Sequence, residues 1–374
     1  MPHRTLADLA QSLLDPINAQ TGDAPHGNIE RCKELAAAYH TLKRQQARED
    51  RPLRAYLLFD HWNNSPIAAE LSDAWPEAAA ARVAVPDTFY VGREGEAPCV
   101  VPLPDMALPD GDAGTLQQVR AQEALAGWLQ AAGQQAYRRL VPQDVCAVLM
   151  SADSAAWVAQ HLAKLGFQYP PDTQAARVFR YQDPRVMQRV WPELSVAQHS
   201  MWLGSVQAWW TLTQPWGPWS QEDLMAGDEC AVSVPAWFKV ERPAVPDVGG
   251  EALMLNRLMN PRQWHAAHAS LWGHQSWAAL ASARIPSAQQ PDGTSMSAAI
   301  ARGQRLGLED QDLEAFIELS WLLPGEERAT HAQARGWDEP PNQEALEQAL
   351  HQMSSQPGLR FTSAWLSTQT LSRP

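Results

Sequence analysis

The stretch Arg177-Val-Phe-Arg-Tyr-Gln-Asp-Pro-Arg-Val-Met-Gln-Arg-Val-Trp191 holds a complete change of chain direction. Its first six residues mix β-branched, aromatic and Arg side chains, which predicts a strand packed on one face or both. Pro184 then removes a ladder donor and biases Asp183 toward the extended backbone that an N-cap adopts. Asp183 is therefore expected to cap the free N–H groups of a helix whose first residue is Pro184. Val186, Met187 and Val190 follow at helical spacing, and Trp191-Pro192 ends the turn. Arg180 and Arg185 are placed as ion-pair neighbours of Asp183, with Arg185 the partly exposed member of the corner.

Upstream, Val145-Cys-Ala-Val-Leu-Met150 reads as a buried strand. Ser151 or Asp153 caps a helix through Ala155, Val158, Leu162 and Leu165, with Gly166 at the C′ position. With the opening stretch this makes strand, helix, strand, most simply a right-handed crossover in a mixed sheet. Arg54-Ala-Tyr-Leu-Leu-Phe-Asp60 is a continuous apolar run, the pattern of a strand buried on both faces. Cys99 to Leu103 reads as a short strand between prolines, Leu116 to Leu140 as an amphipathic helix, and Ser205 to Thr213 and Ala231 to Val240 as two more strands. Residues 1–50 form a helical extension, one of whose helices is capped by Asn28 and runs through Leu35, Tyr39 and Leu42. Past residue 250 the pattern is helical: one helix starts at Asn260-Pro261, another spans Leu308 to Leu323, and a third Asn342 to Met353. The tail from Phe361 is apolar, then polar. The expected fold is an α/β (α+β) N-terminal lobe, a small mixed sheet flanked by helices over 51–245, followed by a mainly α-helical C-terminal lobe over 246–374.

Composition narrows the function. The net charge of -13, with no long Lys/Arg run, argues against a nucleic-acid groove. Gly92-Arg-Glu-Gly95 lacks dinucleotide spacing, and Ser151-Ala-Asp-Ser154 lacks the nucleophile elbow, so neither a cofactor nor a small-molecule substrate is expected. His265, His268 and His274 lack a companion acidic ligand and read as solvated or core-edge, with no metal. Asp60 and His61 end a strand where α/β sites form, and with Asp183 they are the one hydrolase-like grouping. No nucleophile or second base accompanies them, so pairing of Asp60 with an Arg or a turn is the better expectation. Four scattered cysteines, no apolar run of spanning length and no leader pattern predict reduced thiols, no membrane span and a cytoplasmic location. The 17 Trp, against 7 Phe and 6 Tyr, exceed what a core of this size uses. Trp202, Trp209, Trp210, Trp216 and Trp219 are accordingly expected on an aromatic edge that faces a partner.

Several of these pieces, in this order, resemble a known family. Arg54 to Asp60 with Tyr56 inside it, Pro98 to Leu103, Val148 to Ser151 with its helix, Phe179-Arg-Tyr-Gln-Asp-Pro-Arg185 and Leu203 to Trp209 are similar to the domain of unknown function 4123 family, the effector adaptors of bacterial type VI secretion. The family's aromatic-Arg-aromatic strand running into Asp-Pro-Arg is matched by Phe179, Arg180, Tyr181, Asp183, Pro184 and Arg185. The resemblance covers roughly 53–213 and lies in the order and spacing of several weak motifs. The fifty residues before it and the Pro/Ala-rich stretch 76–114 depart from the pattern. It implies a non-enzymatic adaptor or chaperone that binds a cognate toxin effector and loads it onto the VgrG spike. A scaffold component of the secretion baseplate is the other structural role it leaves open.

Overall fold

The computed structural model describes residues 24–46, 51–111, 115–137, 143–171, 175–213, 217–218, 236–242, 254–282, 285–308, 310–320, 343–356 and 358–371. The chain divides into two compact units, the first comprising Met1–Ala136, Val141–Thr213 and Pro235–Pro261, the second Tyr137–Leu140, Gln214–Val234 and Arg262–Pro374.

In the first unit the elements run α1 (Ala24–Gln46), β1 (Arg54–Phe59), α2 (Pro66–Ala74), α3 (Pro76–Ala80), β2 (Val83–Ala84), β3 (Cys99–Pro102), α4 (Leu116–Tyr137) and β4 (Val145–Ser151). They continue as α5 (Ala155–Gly166), β5 (Phe167–Gln168), β6 (Arg177–Val178), α6 (Pro184–Val190), α7 (Val196–Leu203), β7 (Val206–Thr213) and β8 (Ala236–Glu241). Six strands form one sheet in the order β2-β3-β1-β4-β7-β8, and every neighbouring pair is antiparallel. The mixed sheet expected from the strand-helix-strand pattern is thus an antiparallel one. β4 has β7 beside it, while β6 pairs, among the described residues, with β5 in a separate two-stranded ribbon. The crossover helix α5 returns the chain above the sheet face instead of to its edge, because Phe179 and Tyr181 are core residues of that covering layer.

Alternation along the central strands sends Leu57, Phe59, Val101, Val148, Met150, Ala208 and Trp210 to one face. There they meet Leu35 and Tyr39 of α1, Leu71 of α2, and Leu125, Trp128 and Leu129 of α4. Trp75 meets Trp128 edge to face at 4.0 Å. The helix expected from Asn28 begins a few residues earlier, and the part of the helical extension before residue 24 lies outside the described residues. The strand expected over 231–240 is described from Ala236.

The second unit is helical in its described part: α8 (Pro261–Ser282, which begins at the unit boundary), α9 (Gly293–Arg305), α10 (Asp310–Ser320), α11 (Gln343–Ser355) and α12 (Phe361–Leu371). Trp277, Ile300, Leu313, Phe316, Ile317, Leu346, Phe361 and Trp365 share one buried core. Helix α9 meets α10 closely at Gly303, where an added Cβ would lie 2.4 Å from the Leu313 Cδ1. Asp312 of α10 receives the start of α12: its carboxylate accepts from the Thr362 N–H at 2.9 Å, the Thr362 hydroxyl at 2.7 Å and the Arg360 Nε at 3.1 Å. The apolar start of the tail is therefore a docked helix.

Candidate functional site

The corner at 183–185 forms as its residues dictate. Asp183 is extended (φ -68°, ψ 116°), and its Oδ1 accepts from the Arg185 N–H at 3.0 Å, capping α6 behind Pro184. The Arg185 guanidinium closes back on the same carboxylate, Nε to Oδ1 at 2.9 Å and Nη2 to Oδ2 at 2.6 Å. Burial alone would raise the Asp183 carboxyl; the Arg185 hydrogen bonds and charge, with the Arg180 charge, outweigh it and hold the group below the ordinary aspartate range.

The six-residue strand expected before the corner is shorter. β6 ends at Val178, after which the Tyr181 N–H bonds back to Phe179 O at 2.9 Å and the Asp183 N–H to Arg180 O at 3.1 Å. Bending there directs both aromatic rings into the core and the Arg between them sideways. Phe179 meets Trp202 at 5.3 Å and Tyr181 meets Trp209 at 6.3 Å, both edge to face. Gly166 matters here through space: a Cβ on it would lie 2.9 Å from Asp87 Oδ2 and 3.0 Å from the Tyr181 ring. It is the last residue of α5 and not the left-handed C′ glycine that the sequence suggests.

Arg180 does not pair with Asp183. It reaches Asp60, 120 residues away, with Nη2 at 2.8 Å from Oδ2. Asp60 is 1% exposed and directly follows β1. Its Oδ2 also faces the Gln182 amide at 3.5 Å and the His61 ring Nε2 at 3.4 Å, while Oδ1 accepts from the His61 N–H at 3.2 Å. His61 is the one non-Gly residue with positive φ among the described residues (φ 54°, ψ 40°), so the chain turns in a left-handed conformation at the strand end. The Asp60 N–H donates to Asp144 O at 2.7 Å, and the Asp144 carboxylate accepts from Ser65, the cap of α2, and from Gln135 of α4 at 2.9 Å. Tyr56, also in β1, donates its hydroxyl to Asp153 O at 2.6 Å.

The arrangement is a lock. Asp60 and Asp183 each accept from a guanidinium and from a backbone N–H, charge-assisted bonds that tie the two carboxylates into the fold. Asp60 and His61 are together, whereas Asp183 is turned onto Arg185 and makes no hydrogen bond or ion pair with either.

Of the five tryptophans expected at a partner-facing edge, three are interior. Trp202 and Trp209 are fully buried and Trp210 is 2% exposed, because both faces of β7 are covered by helices. Trp216 and Trp219 lie outside the described residues. Trp157 is instead 66% exposed, on the outer face of α5 opposite Val158, Leu162 and Leu165. The signal was present: Trp157 is off the apolar stripe of its own helix. Phe89 and Val91 are further exposed apolar residues in the turn before β3.

His274 is buried, and the side chains of His265 and His268 lie outside the described residues. Among the described residues, no three His, Cys, Asp or Glu side chains gather as metal ligands would. Cys32, Cys99 and Cys146 are free and buried; burial pushes the thiols of Cys32 and Cys99 up to about 12, away from the reactive thiolate. Cys230 lies outside the described residues. No described helix is long and apolar enough to cross a membrane. A scan of protein-family models, a search of curated proteins and a search of solved structures each find no match, so the likeness to the type VI adaptors rests on the motifs themselves.

Proposed function

We propose that this chain is a non-enzymatic adaptor, a cytoplasmic chaperone that binds a type VI toxin effector and loads it onto the VgrG spike. The observation that carries the reading is the fate of the signature stretch. Phe179, Arg180, Tyr181, Asp183 and Arg185 are all spent on holding the layer over the sheet, with no acid or base among them left open for chemistry. A recognition protein of this kind needs a rigid frame and a reversible interface, and the frame is what these residues supply. The test is co-purification of the tagged chain with a candidate toxin effector, together with export of that toxin after the gene for this chain is deleted. The expected result is a stable complex and lost export of that toxin while other effectors leave normally. Normal export and no complex would overturn it.

One observation favours a second reading. The His61 imidazole is 38% exposed beside a buried carboxylate at a strand end, in a left-handed backbone conformation of the kind that gathers at active sites. A hydrolase built on Asp60 and His61 requires that Asp60→Asn keep the fold and abolish turnover of a model ester or peptide. If the wild-type chain shows no turnover, this reading fails.

A further inference from the structure

The two edges of the sheet differ. At one end β2 is two residues long and is followed at once by Val85 and Pro86, which blunts it. At the other end β8 offers six residues, Ala236-Trp-Phe-Lys-Val-Glu241. Arg242 donates its N–H to Gln207 O at 2.8 Å, and Phe238 and Val240 share its parity, so their backbone groups face β7. Trp237, Lys239 and Glu241 therefore point their N–H and C=O groups outward. Among the described residues nothing pairs with that outer row. The side chains of Trp237, Lys239 and Glu241 share the sheet face that carries Trp210. The Lys239 ammonium is held there, 4.6 Å above the Trp210 ring and paired with Glu34 of α1.

We propose that this edge pairs antiparallel with β8 of a second copy of the chain, about a twofold axis at Val240, so that one sheet runs through the dimer. The strand's own charges select the partner and the register. Outward residues must face outward residues, which leaves few alignments. Centring on Val240 sets Lys239 opposite Glu241 of the second copy, and by symmetry Glu241 opposite its Lys239, giving two cross-strand ion pairs. Centring on Lys239 or on Glu241 puts like charges directly opposite each other, and centring on Phe238 pairs neither charge with its opposite. Lys239, fixed over Trp210, is then already in place for the second carboxylate.

Sedimentation equilibrium of the full chain over about a hundredfold range of concentration tests this. The expected result is a reversible monomer–dimer equilibrium. Glu241→Lys, which faces Lys239 with a lysine twice per dimer, is expected to weaken association on the order of tenfold or more. Adding Lys239→Glu to it restores complementarity in the same register and is expected to restore the dimer. Circular dichroism confirms that both variants fold. A wild-type chain that stays monomeric overturns the proposal, as does a Glu241→Lys variant that associates normally. Association through this edge only when the toxin is present also overturns it, in favour of a strand from the toxin.

Discussion

Asp183 in the first unit and Asp312 in the helical unit do the same job with different reach. Each is a buried or nearly buried carboxylate that accepts from the N-terminus of a helix and from an Arg, and each is held below the ordinary aspartate range against the effect of its own burial. Asp183 caps the helix it begins and takes its Arg two residues on. Asp312 caps a helix 50 residues away and takes its Arg from 48 residues away. The first arrangement needs only its own corner to form. The second exists only while α10 and α12 are packed, so it reports on docking of the tail.

Four measurements break or sharpen that contrast. Asp183→Ala leaves the Arg185 guanidinium, 15% exposed, without its carboxylate and α6 without its cap, and is expected to cost about 3 kcal/mol in denaturant unfolding. A loss below that of the Asp312 variant would erase the distinction. Asp312→Ala is expected to cost about 1.5 kcal/mol. Its effect should appear in hydrogen exchange as faster opening over 361–368, with 184–190 unchanged; equal changes in both segments would mean the two caps are one cooperative unit. Acid should act through both groups. Because their folded pKa values lie below the unfolded one, the stability they confer is present above the ordinary aspartate value of ~3.9 and is lost as pH falls through the folded values. Asp183→Asn should flatten the dependence of unfolding free energy on pH below that point, and an unchanged slope would show that other groups dominate. Arg360→Gln is the smallest change, on the order of 0.5 kcal/mol, since that side chain is 59% exposed and screened by water.

The same contrast explains what the sequence made legible. The Asp183-Pro184 cap, the buried run of β1 and the helix beginning at Pro261 follow from neighbours in the chain, and the structure contains each of them. Arg180 was assigned to Asp183 because the two are adjacent in sequence, whereas its partner Asp60 becomes a neighbour only after the sheet closes. Strand direction departs from expectation for a related reason: a strand-helix-strand pattern does not say whether the last segment joins the sheet or lies over it. Trp202, Trp209 and Trp210 differ from expectation in exposure. Adjacent Trp209 and Trp210 point to opposite faces of β7, and only the covering layers, which come from distant segments, decide that both are interior.

The antiparallel order has a consequence for how the chain is made. β1 is central, with β3 on one side and β4 on the other. Its Tyr56 hydroxyl closes onto a carbonyl 97 residues downstream, and Asp60, just past its end, meets Arg180 120 residues on. Both contacts therefore join residues about a hundred or more positions apart, and such non-local contacts close late and slow the folding of a sheet. Arg180 follows β4 and α5 in the chain, so the ion pair that locks the sheet can close only after both have been synthesised.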